Sequence, residues 1–290
     1  MATTAAESGA KPRRLGWLRP PKMDHDGSMA LMDHLREVRY RVTISAIAVV
    51  VTSIAASFFY RDLIGIVMRP YYSARAAVLA ANPEAQLMVT NDGVIAPFTL
   101  AVIACVLAGL VAACPIWLYQ VWAFIAPGLI AKEKKYALGF LGAAIPLFVM
   151  GCLLGYWIWP KGITVMLGFT PRGMEIVNML EMTRFLAMEI RIILIFGLSF
   201  LLPVIIVALN LAGVVKSYHL ARARRFVIFG SFVFAAIANP STDPFTMLAL
   251  AVPMSALYYV AELIARSVDK KRGTTAEVAA EFNIDVDDGR

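Results

Sequence analysis

The sequence predicts an all-α integral membrane protein with six transmembrane helices and both termini in the cytoplasm. Sixty per cent of the 290 residues are apolar and 16% are charged, whereas a soluble domain has about 25% charged residues. Six long stretches contain no charged residue, and the Lys and Arg residues between them are distributed unequally. A chain of this size cannot hide so much apolar surface in one soluble core. The composition therefore excludes a soluble enzyme and a disordered or disulfide-stapled secreted protein.

The two ends of the chain differ from its middle. Residues 1–27 are polar and rich in Pro and Arg, so we predict a disordered cytoplasmic arm there. Residues 28–268 make up the predicted six-helix membrane domain, and residues 269–290 a cytoplasmic tail with an acidic end. The first 40 residues contain no apolar segment of the kind found in signal peptides, so we expect no cleavable signal peptide.

Each uncharged stretch provides one predicted membrane crossing. The stretches contain 19, 39, 25, 24, 17 and 18 residues and run over 42–60, 93–131, 136–160, 192–215, 226–242 and 244–261. A helix needs about 20 residues to cross a hydrocarbon core about 30 Å thick. We interpret the 39-residue stretch as one long helix from Pro97 to Phe124, followed by a break at Pro127 and Gly128.

The segments between the stretches have their own predicted roles. Residues 61–96 and 160–188 hold mixed charges and scattered apolar residues, which favours short caps over the outer helix ends. The last two stretches form a predicted hairpin of two helices that reach only about 25 Å. Such a short hairpin must thin the bilayer, tilt little or be covered by partner helices. Asp243, in the proline-containing turn between them, is predicted to cap the sixth helix.

The distribution of Lys and Arg predicts the orientation. Twenty of the 27 lie in the two terminal segments and the two loops that share their side, six lie on the other side, and Arg191 lies at the start of the fourth helix. The positive-inside rule therefore places both termini in the cytoplasm. The net charge of +7 follows from this asymmetry and suits anionic lipid head groups, so nucleic acid is not an expected partner.

No residue pattern predicts catalysis. The three cysteines lie in apolar stretches without a metal-binding spacing, and the three histidines lie in predicted cytoplasmic segments. We find no zinc-protease motif, nucleotide-binding loop or membrane-embedded Ser/His pair. The sequence therefore predicts a protein that is not an enzyme and that needs no metal or cofactor.

Two predicted cytoplasmic segments carry more specific information. The first, Asp33-His34-Leu35-Arg36-Glu37-Val38-Arg39-Tyr40-Arg41, runs into the first helix. From physics alone it is a helical collar in which Glu37 pairs with Arg41 at i,i+4. The second runs from Leu118 to Lys135 and contains Tyr119-Gln120-Val121-Trp122-Ala123-Phe124-Ile125-Ala126-Pro127-Gly128-Leu129 and Glu133. From physics alone it is an interfacial aromatic belt followed by a charged turn.

Together these segments resemble two signatures of the TatC family, the multispanning core subunit of the twin-arginine protein translocase. The first signature is His-Leu-x-Glu-Leu-Arg-x-Arg, with Val38 here in place of the second Leu. The second matches almost residue for residue over 119–129 and at Glu133. Weaker similarities that suggest structural or translocation roles are found at Pro70, Phe98 and Asp243.

The resemblance implies a function. TatC-like proteins bind twin-arginine signal peptides of folded proteins at the cytoplasmic face. They recruit single-span TatA-like and TatB-like subunits for export driven by the proton-motive force across the prokaryotic plasma membrane, and we expect several copies of the chain in one complex. The residues that match the family's signal-peptide patch are Glu37, Arg39, Phe124, Leu129 and Glu133. Two carboxylates on separate segments could each bind one guanidinium, although the nearby cations would repel a dibasic ligand.

The sequence departs from the family at two membrane positions. Leu201 and Tyr259 stand where many relatives have a glutamate. We expect Leu201 to contact a partner helix, and Phe232 and Ala236 of the short hairpin to lie where single-span subunits gather and cargo crosses. Glu262, one turn after Tyr259, and Glu189 near Arg191 are the other acids to consider. For Glu189 and Arg191, a functional role and interfacial anchoring both remain open.

Other functions remain to be compared with this one. A secondary transporter for a small solute is the main alternative, but such folds usually contain an internal repeat and buried ions at the midplane. We find no repeat, and the charged residues gather at the helix ends. A membrane-embedded hydrolase is disfavoured by the lack of His in the spans, whereas a scaffold for other helices partly overlaps with the translocase.

Overall fold

The computed structural model describes residues 31–83, 86–91, 93–125, 134–170, 177–211, 213, 215–240 and 243–271. This part of the chain contains eight α-helices and two short β-strands. The helices are α1 (Leu31–Ser57), α2 (Tyr60–Ala81), α3 (Ala96–Ala112), α4 (Cys114–Ile125), α5 (Lys134–Gly168), α6 (Met182–Leu211), α7 (Ser217–Ala238) and α8 (Pro244–Lys271). The strands are β1 (Gln86–Thr90) and β2 (Val177–Glu181).

The predicted all-α membrane architecture is confirmed, since helices hold most of the described residues of each of the six uncharged stretches. Helices α1, α5, α6 and α8 are each long and apolar enough to cross a membrane, and α3 with α4 forms a fifth such unit if the bent pair is counted as one. Helix α7 carries the fifth stretch, but its first turns contain three arginines, so it falls short of that criterion.

The predicted single helix from Pro97 to Phe124 is wrong, because the chain bends by 56° between α3 and α4. Pro115 explains the position of the bend: its ring lacks an N–H and clashes with the carbonyl one turn earlier. Two side chains satisfy the carbonyls near the bend. The Trp117 indole donates to the Leu110 carbonyl at 3.1 Å, and the Thr52 hydroxyl donates to the Gly109 carbonyl at 2.7 Å.

One end of the bundle, the capped end, holds α2 and the strands; at the opposite, open end α1 begins and α8 ends. The predicted short caps are thus a 22-residue helix and a parallel two-stranded sheet, which pairs Gln86 with Val177 and Thr90 with Glu181. Helix α2 packs on α5 and buries Pro70. Pro70 has no N–H to donate to the Ile66 carbonyl one turn earlier. That carbonyl instead accepts a hydrogen bond from the Tyr156 hydroxyl of α5 at 2.7 Å.

Helices α5 and α6 form the most extensive contact between helices in the part of the chain that the structure describes, and glycines line it. A Cβ atom at Gly151 would lie 2.7 Å from the Phe196 carbonyl oxygen, and one at Gly197 would lie 2.6 Å from the Cys152 sulfur. Small residues let transmembrane helices approach closely where lipid offers no hydrophobic driving force. The contact between α5 and α6 therefore forms the centre of the bundle, between its capped and open ends.

Candidate functional site

At the open end, the first turns of α1 pack beside α4, so the two segments that resemble family signatures are neighbours. Glu37 is 4% exposed, although it lies near the start of the helix. Its Oε1 accepts hydrogen bonds from the Arg41 Nε at 2.9 Å and from the Arg41 Nη2. The Nη1 of Arg41 donates to the Gln120 Oε1 of α4 at 3.4 Å. Arg41 therefore links the two segments.

The predicted i,i+4 pair of Glu37 and Arg41 is confirmed. Both of these contacts use the same carboxylate oxygen of Glu37. Among the residues that the structure describes, no donor is bonded to the other oxygen, Oε2. An ionised carboxylate accepts at both oxygens. The pair thus fixes the orientation of a buried carboxylate and leaves it with further hydrogen-bonding capacity.

The other residues predicted for the signal-peptide patch are placed unequally. Arg39 is exposed, and its carbonyl accepts a hydrogen bond from the Thr43 hydroxyl at 2.7 Å. Phe124 is half-buried near the end of α4. Leu129 and Glu133 lie outside the described residues. The structure therefore brings Glu37 to α4, and the joint action of Glu37 and Glu133 stays a prediction.

Trp122 holds the end of α4 in place. Its indole is buried and stacks on Phe140 of α5, with 4.8 Å between the ring centroids. Leu118, one turn earlier, is buried as well. The sequence suggested an aromatic belt at the membrane interface, but Trp122 points into the bundle. An aromatic-rich segment does not by itself reveal which face of the helix is inside.

At the capped end, Asp243 begins α8 as predicted. Its Oδ1 accepts the backbone N–H of Thr246 at 2.7 Å, which is the hydrogen bond of an N-cap. The Asn239 amide donates to the Thr246 hydroxyl at 2.6 Å and ties the end of α7 to this turn. Phe98, in the first turn of α3, is 70% exposed. Asp243 therefore shapes the start of α8 and Pro70 is buried inside α2, whereas Phe98 points outward.

Leu201 does not lie at a surface, in contrast to the prediction that it contacts a partner helix. Its side chain is 5% exposed and belongs to a core cluster with Leu118, Phe148 and Val204. The physical reason is that α6 is the most deeply buried of the candidate spans, so its apolar faces are already covered by the chain itself. Leu198 and Leu202 are the exposed leucines beside it.

Of the two hairpin residues predicted to contact partner helices, Ala236 is exposed and Phe232 is half-buried against the core. Ile237 is also exposed, whereas Ala235 is fully buried. An outward face therefore exists at Ala236, on the part of α7 near the capped end.

A cluster that the sequence did not predict joins α7 and α8 at the open end. Glu262 is fully buried and accepts hydrogen bonds from the Arg224 Nε at 2.9 Å and the Arg224 Nη2 at 2.7 Å. Arg266 contacts the same carboxylate through its Nη2 at 2.7 Å. The Arg224 guanidinium also lies 5.1 Å from the ring centre of Tyr259. Glu262 is thus a buried acid whose charge is shared between two arginines.

A second buried acid at this end, Asp269, connects three helices. Its Oδ1 accepts a hydrogen bond from the Asn210 amide at 3.0 Å, and its Oδ2 accepts the Ser217 N–H at 2.7 Å. Asp269 in the last turn of α8 therefore caps the first turn of α7 and binds the end of α6. The predicted tail begins at residue 269, yet this residue belongs to the folded bundle.

Glu189 on α6 has the opposite environment. It is fully buried, and among the described residues neither of its carboxyl oxygens has a hydrogen-bond partner. Arg191, two residues later, is exposed. Because Glu189 is buried, it cannot anchor the helix at the membrane interface. The exposed Arg191 is compatible with that role.

Comparison with known proteins agrees with this architecture. The family model described as "Sec-independent protein translocase protein (TatC)" matches residues 33–253. A relative of that name from Xylanimonas cellulosilytica is 36% identical over 253 residues, which cover 87% of this chain and 89% of the relative. Another from Frankia casuarinae is 37% identical over 263 residues, covering 88% and 71%.

A solved structure is similar as well. The crystal structure titled "Twin Arginine Translocase Receptor- TatC in DDM" has a TM-score of 0.65 and 30% sequence identity, and the match covers 80% of this chain and 99% of that one. The match with the family model spans α1 to the middle of α8 and includes both signature segments. The chain therefore belongs to the TatC family of Sec-independent protein translocase proteins.

Proposed function

We propose that this chain binds the twin-arginine signal peptides of folded proteins at the open end of its bundle, which faces the cytoplasm. It recruits TatA-like and TatB-like single-span subunits, and together they export the cargo across the prokaryotic plasma membrane with the proton-motive force. Several copies of the chain take part in one complex.

Family membership supplies the coarser part of this function. The chain is a multi-pass membrane subunit of the Sec-independent protein translocase, a non-enzymatic component that works with other subunits. The similar crystal structure is titled a twin-arginine translocase receptor, which supports a receptor role here. Membership in this family favours the translocase over the small-solute transporter.

The observation that carries the proposal is the buried Glu37 carboxylate beside α4. Arg41 holds Glu37 through one oxygen and reaches Gln120 of the second signature. A peptide guanidinium can bond to the remaining oxygen, because planar guanidinium groups match carboxylates and such bonds are strong where water is partly excluded. Glu133, eight residues after the end of α4, would receive the second arginine of the motif.

The orientation is supported by charge. Lys and Arg residues concentrate in the segments that adjoin the open end, twenty against six at the capped end. By the positive-inside rule this end lies in the cytoplasm, where folded cargo is made. The end of the bundle that holds Glu37, Arg39 and Phe124 then lies on the side of the membrane where signal peptides arrive before transport.

Peptide binding to the detergent-solubilised chain tests the receptor role. Loss of one charge-assisted pair costs about 1.5–3 kcal/mol, so Glu133→Ala should weaken binding of an Arg-Arg peptide about ten- to a hundredfold. Binding of the matched Lys-Lys peptide should change much less. Glu181→Ala, which removes a carboxylate paired with Arg184 at the capped end, is the control. Equal weakening of both peptides by Glu133→Ala would sink the proposal.

Recruitment of single-span subunits has a separate test on α7. A photo-crosslinking amino acid at the exposed Ala236 should capture a single-span partner in membranes. The same probe at Ala46, which is exposed on α1, is the matched control because it reports ordinary lipid-facing surface. Capture only at Ala46, or equal capture at both positions, would contradict a partner surface on α7.

A further inference from the structure

We infer that Arg224 and Arg266 form a binding site for the phosphate of an anionic phospholipid at the open end of α7 and α8. This site is separate from the signal-peptide patch on α1 and α4, and the inference does not depend on the proposed receptor role. It rests on the geometry of the two guanidinium groups, the local excess of positive charge and the apolar surface next to it.

The buried Glu262 carboxylate fixes the two guanidinium groups in place. Arg224 binds it with two nitrogens and Arg266 with one. Their side chains remain 36% and 48% exposed. Among the described residues, no acceptor is bonded to the Arg224 Nη1 or to the Arg266 Nε and Nη1. Two oriented guanidinium groups thus keep N–H donors at the surface, and such planar donors suit the oxygens of a phosphate.

The surrounding charge is positive. Helices α7 and α8 together carry six cationic residues and two acidic ones, an excess of four positive charges. The cations are Arg222, Arg224, Arg225, Arg266, Lys270 and Lys271. The two acids, Glu262 and Asp269, are both buried and already accept hydrogen bonds from the protein. The single carboxylate between the arginines therefore cannot neutralise this end of the hairpin, which leaves room for an anion.

The apolar surface beside the cations identifies the anion as a lipid. Ile228 lies one turn after Arg224 on the same face of α7 and is 37% exposed. Leu263 lies one turn before Arg266 on the same face of α8 and is 46% exposed. A phospholipid places its phosphate beside the cations and its acyl chains along this apolar surface. A soluble phosphate or an acidic peptide would use only the cations.

The experiment measures lipid retention by the purified full-length chain with native mass spectrometry. Delipidated protein is incubated with phosphatidylglycerol or with zwitterionic phosphatidylcholine at equal concentrations. Arg266→Gln should lower the retained phosphatidylglycerol about tenfold, the value of one charge-assisted pair, and leave phosphatidylcholine unchanged. This variant keeps the two-point contact of Arg224 with Glu262, and a single cooperative thermal unfolding transition, with a midpoint only slightly lowered, verifies the fold.

Two matched variants separate a built site from general attraction. Arg225→Gln removes an exposed cation at the same end that has no contact with Glu262, and should cost about twofold, since an exposed and screened charge contributes little. Arg184→Gln, at the capped end, should have no effect. Equal losses in Arg225→Gln and Arg266→Gln would overturn the site in favour of diffuse attraction.

Two further outcomes would also overturn the inference. One is unchanged phosphatidylglycerol retention in Arg266→Gln. The other is displacement of the lipid by soluble glycerol phosphate at millimolar concentration, which would mean that the cations bind free phosphate and that the apolar surface plays no part. If Arg266→Gln unfolds, Arg266→Lys replaces it, because it keeps the charge and loses the planar fork; a loss of about threefold is then expected.

Discussion

Two fully buried glutamates, Glu262 at the open end and Glu189 on α6, solve the problem of burying a carboxyl group in different ways. Glu262 is held by two arginines from α7 and α8. Glu189 has no hydrogen-bond partner among the described residues. Removing a partner from a buried charge is costly, whereas removing a buried polar group that has no partner costs little. The same residue type therefore has a structural role in one place and none that is visible in the other.

The difference also concerns where each acid lies along its helix. Glu262 is nine residues before the end of α8, close to the level at which water and head groups begin. Its arginines reach the surface while the carboxylate stays inside. Glu189 is seven residues into α6, among apolar neighbours. A buried acid without a partner in one chain is a candidate for function in the complex, and the following predictions test whether the two acids differ as their surroundings indicate.

The largest effect is expected for Glu262→Gln. The change leaves Arg224 and Arg266 facing a neutral amide, so two cations lose their shared anion. Breaking a buried pair costs about 3–5 kcal/mol, and because both arginines are partly exposed we expect about 2–3 kcal/mol. Thermal unfolding of the purified protein in detergent measures it. An unfolding midpoint equal to that of the unchanged chain would contradict a structural role for Glu262.

A smaller loss, about 1–2 kcal/mol, is expected for Arg224→Met. Arg224 provides two of the three nitrogens that contact Glu262, and Arg266 remains to balance the charge. The matched variant Arg266→Met should cost less than Arg224→Met in the same unfolding assay. The reverse order would show that the charge of Glu262 is balanced mainly from its own helix.

Tyr259→Leu should cost about 0.5–1 kcal/mol, the value of a partly exposed cation–π contact with Arg224. The apolar volume is largely retained, so a cavity contributes little. Combining it with Arg224→Met in a double-mutant cycle isolates the contact. Strict additivity of the two changes would mean that the ring does not help to hold Arg224.

The smallest effect is expected for Glu189→Met, within about 1 kcal/mol of the unchanged chain, because no hydrogen bond is lost and the side-chain volume is similar. Its comparison with Glu262→Gln is the direct test of the contrast. A loss as large as that of Glu262→Gln would mean that Glu189 has a partner in the solubilised protein. Unchanged stability together with lost export in cells would assign Glu189 to the working complex.

The sequence predicts the spans better than it predicts their faces. Spacing between charges located all six apolar stretches, because the length of a membrane crossing is a one-dimensional constraint. The bend before Pro115 was missed, since prolines are tolerated inside membrane helices such as α5, which contains Pro146 and Pro160. Leu201 was misplaced because α6 is apolar all around, so its pattern does not reveal which face is covered.

Among the site residues, contacts within one helix can be predicted from the sequence, whereas contacts between helices cannot. The pair of Glu37 and Arg41 is local, four residues apart, and a helical pattern is enough to predict it. Arg224 and Glu262 are 38 residues apart on different helices, and nothing in the sequence connects them. In the sequence, the position of Glu262 one turn after Tyr259 is the one sign that this acid is of interest. Such contacts depend on how the helices pack against one another. Between α5 and α6, for example, the packing depends on glycines at which a Cβ atom would lie within 3 Å of the other helix.

The narrow attachment of α1 has a consequence for biosynthesis. The span of α1 is almost entirely exposed, and it contacts the bundle mainly through α3 and α4. A Cβ atom at Gly109 of α3 would lie 2.7 Å from the Ser53 Cα, so the two backbones approach closely with only the small Ser53 side chain at the contact. At about 5–20 residues per second, the ribosome needs several seconds after Ser57 to complete Ala112. During that interval the first span must remain in lipid alone, and it can do so because its Ser45, Thr52 and Ser53 hydroxyls donate to carbonyls of α1 itself.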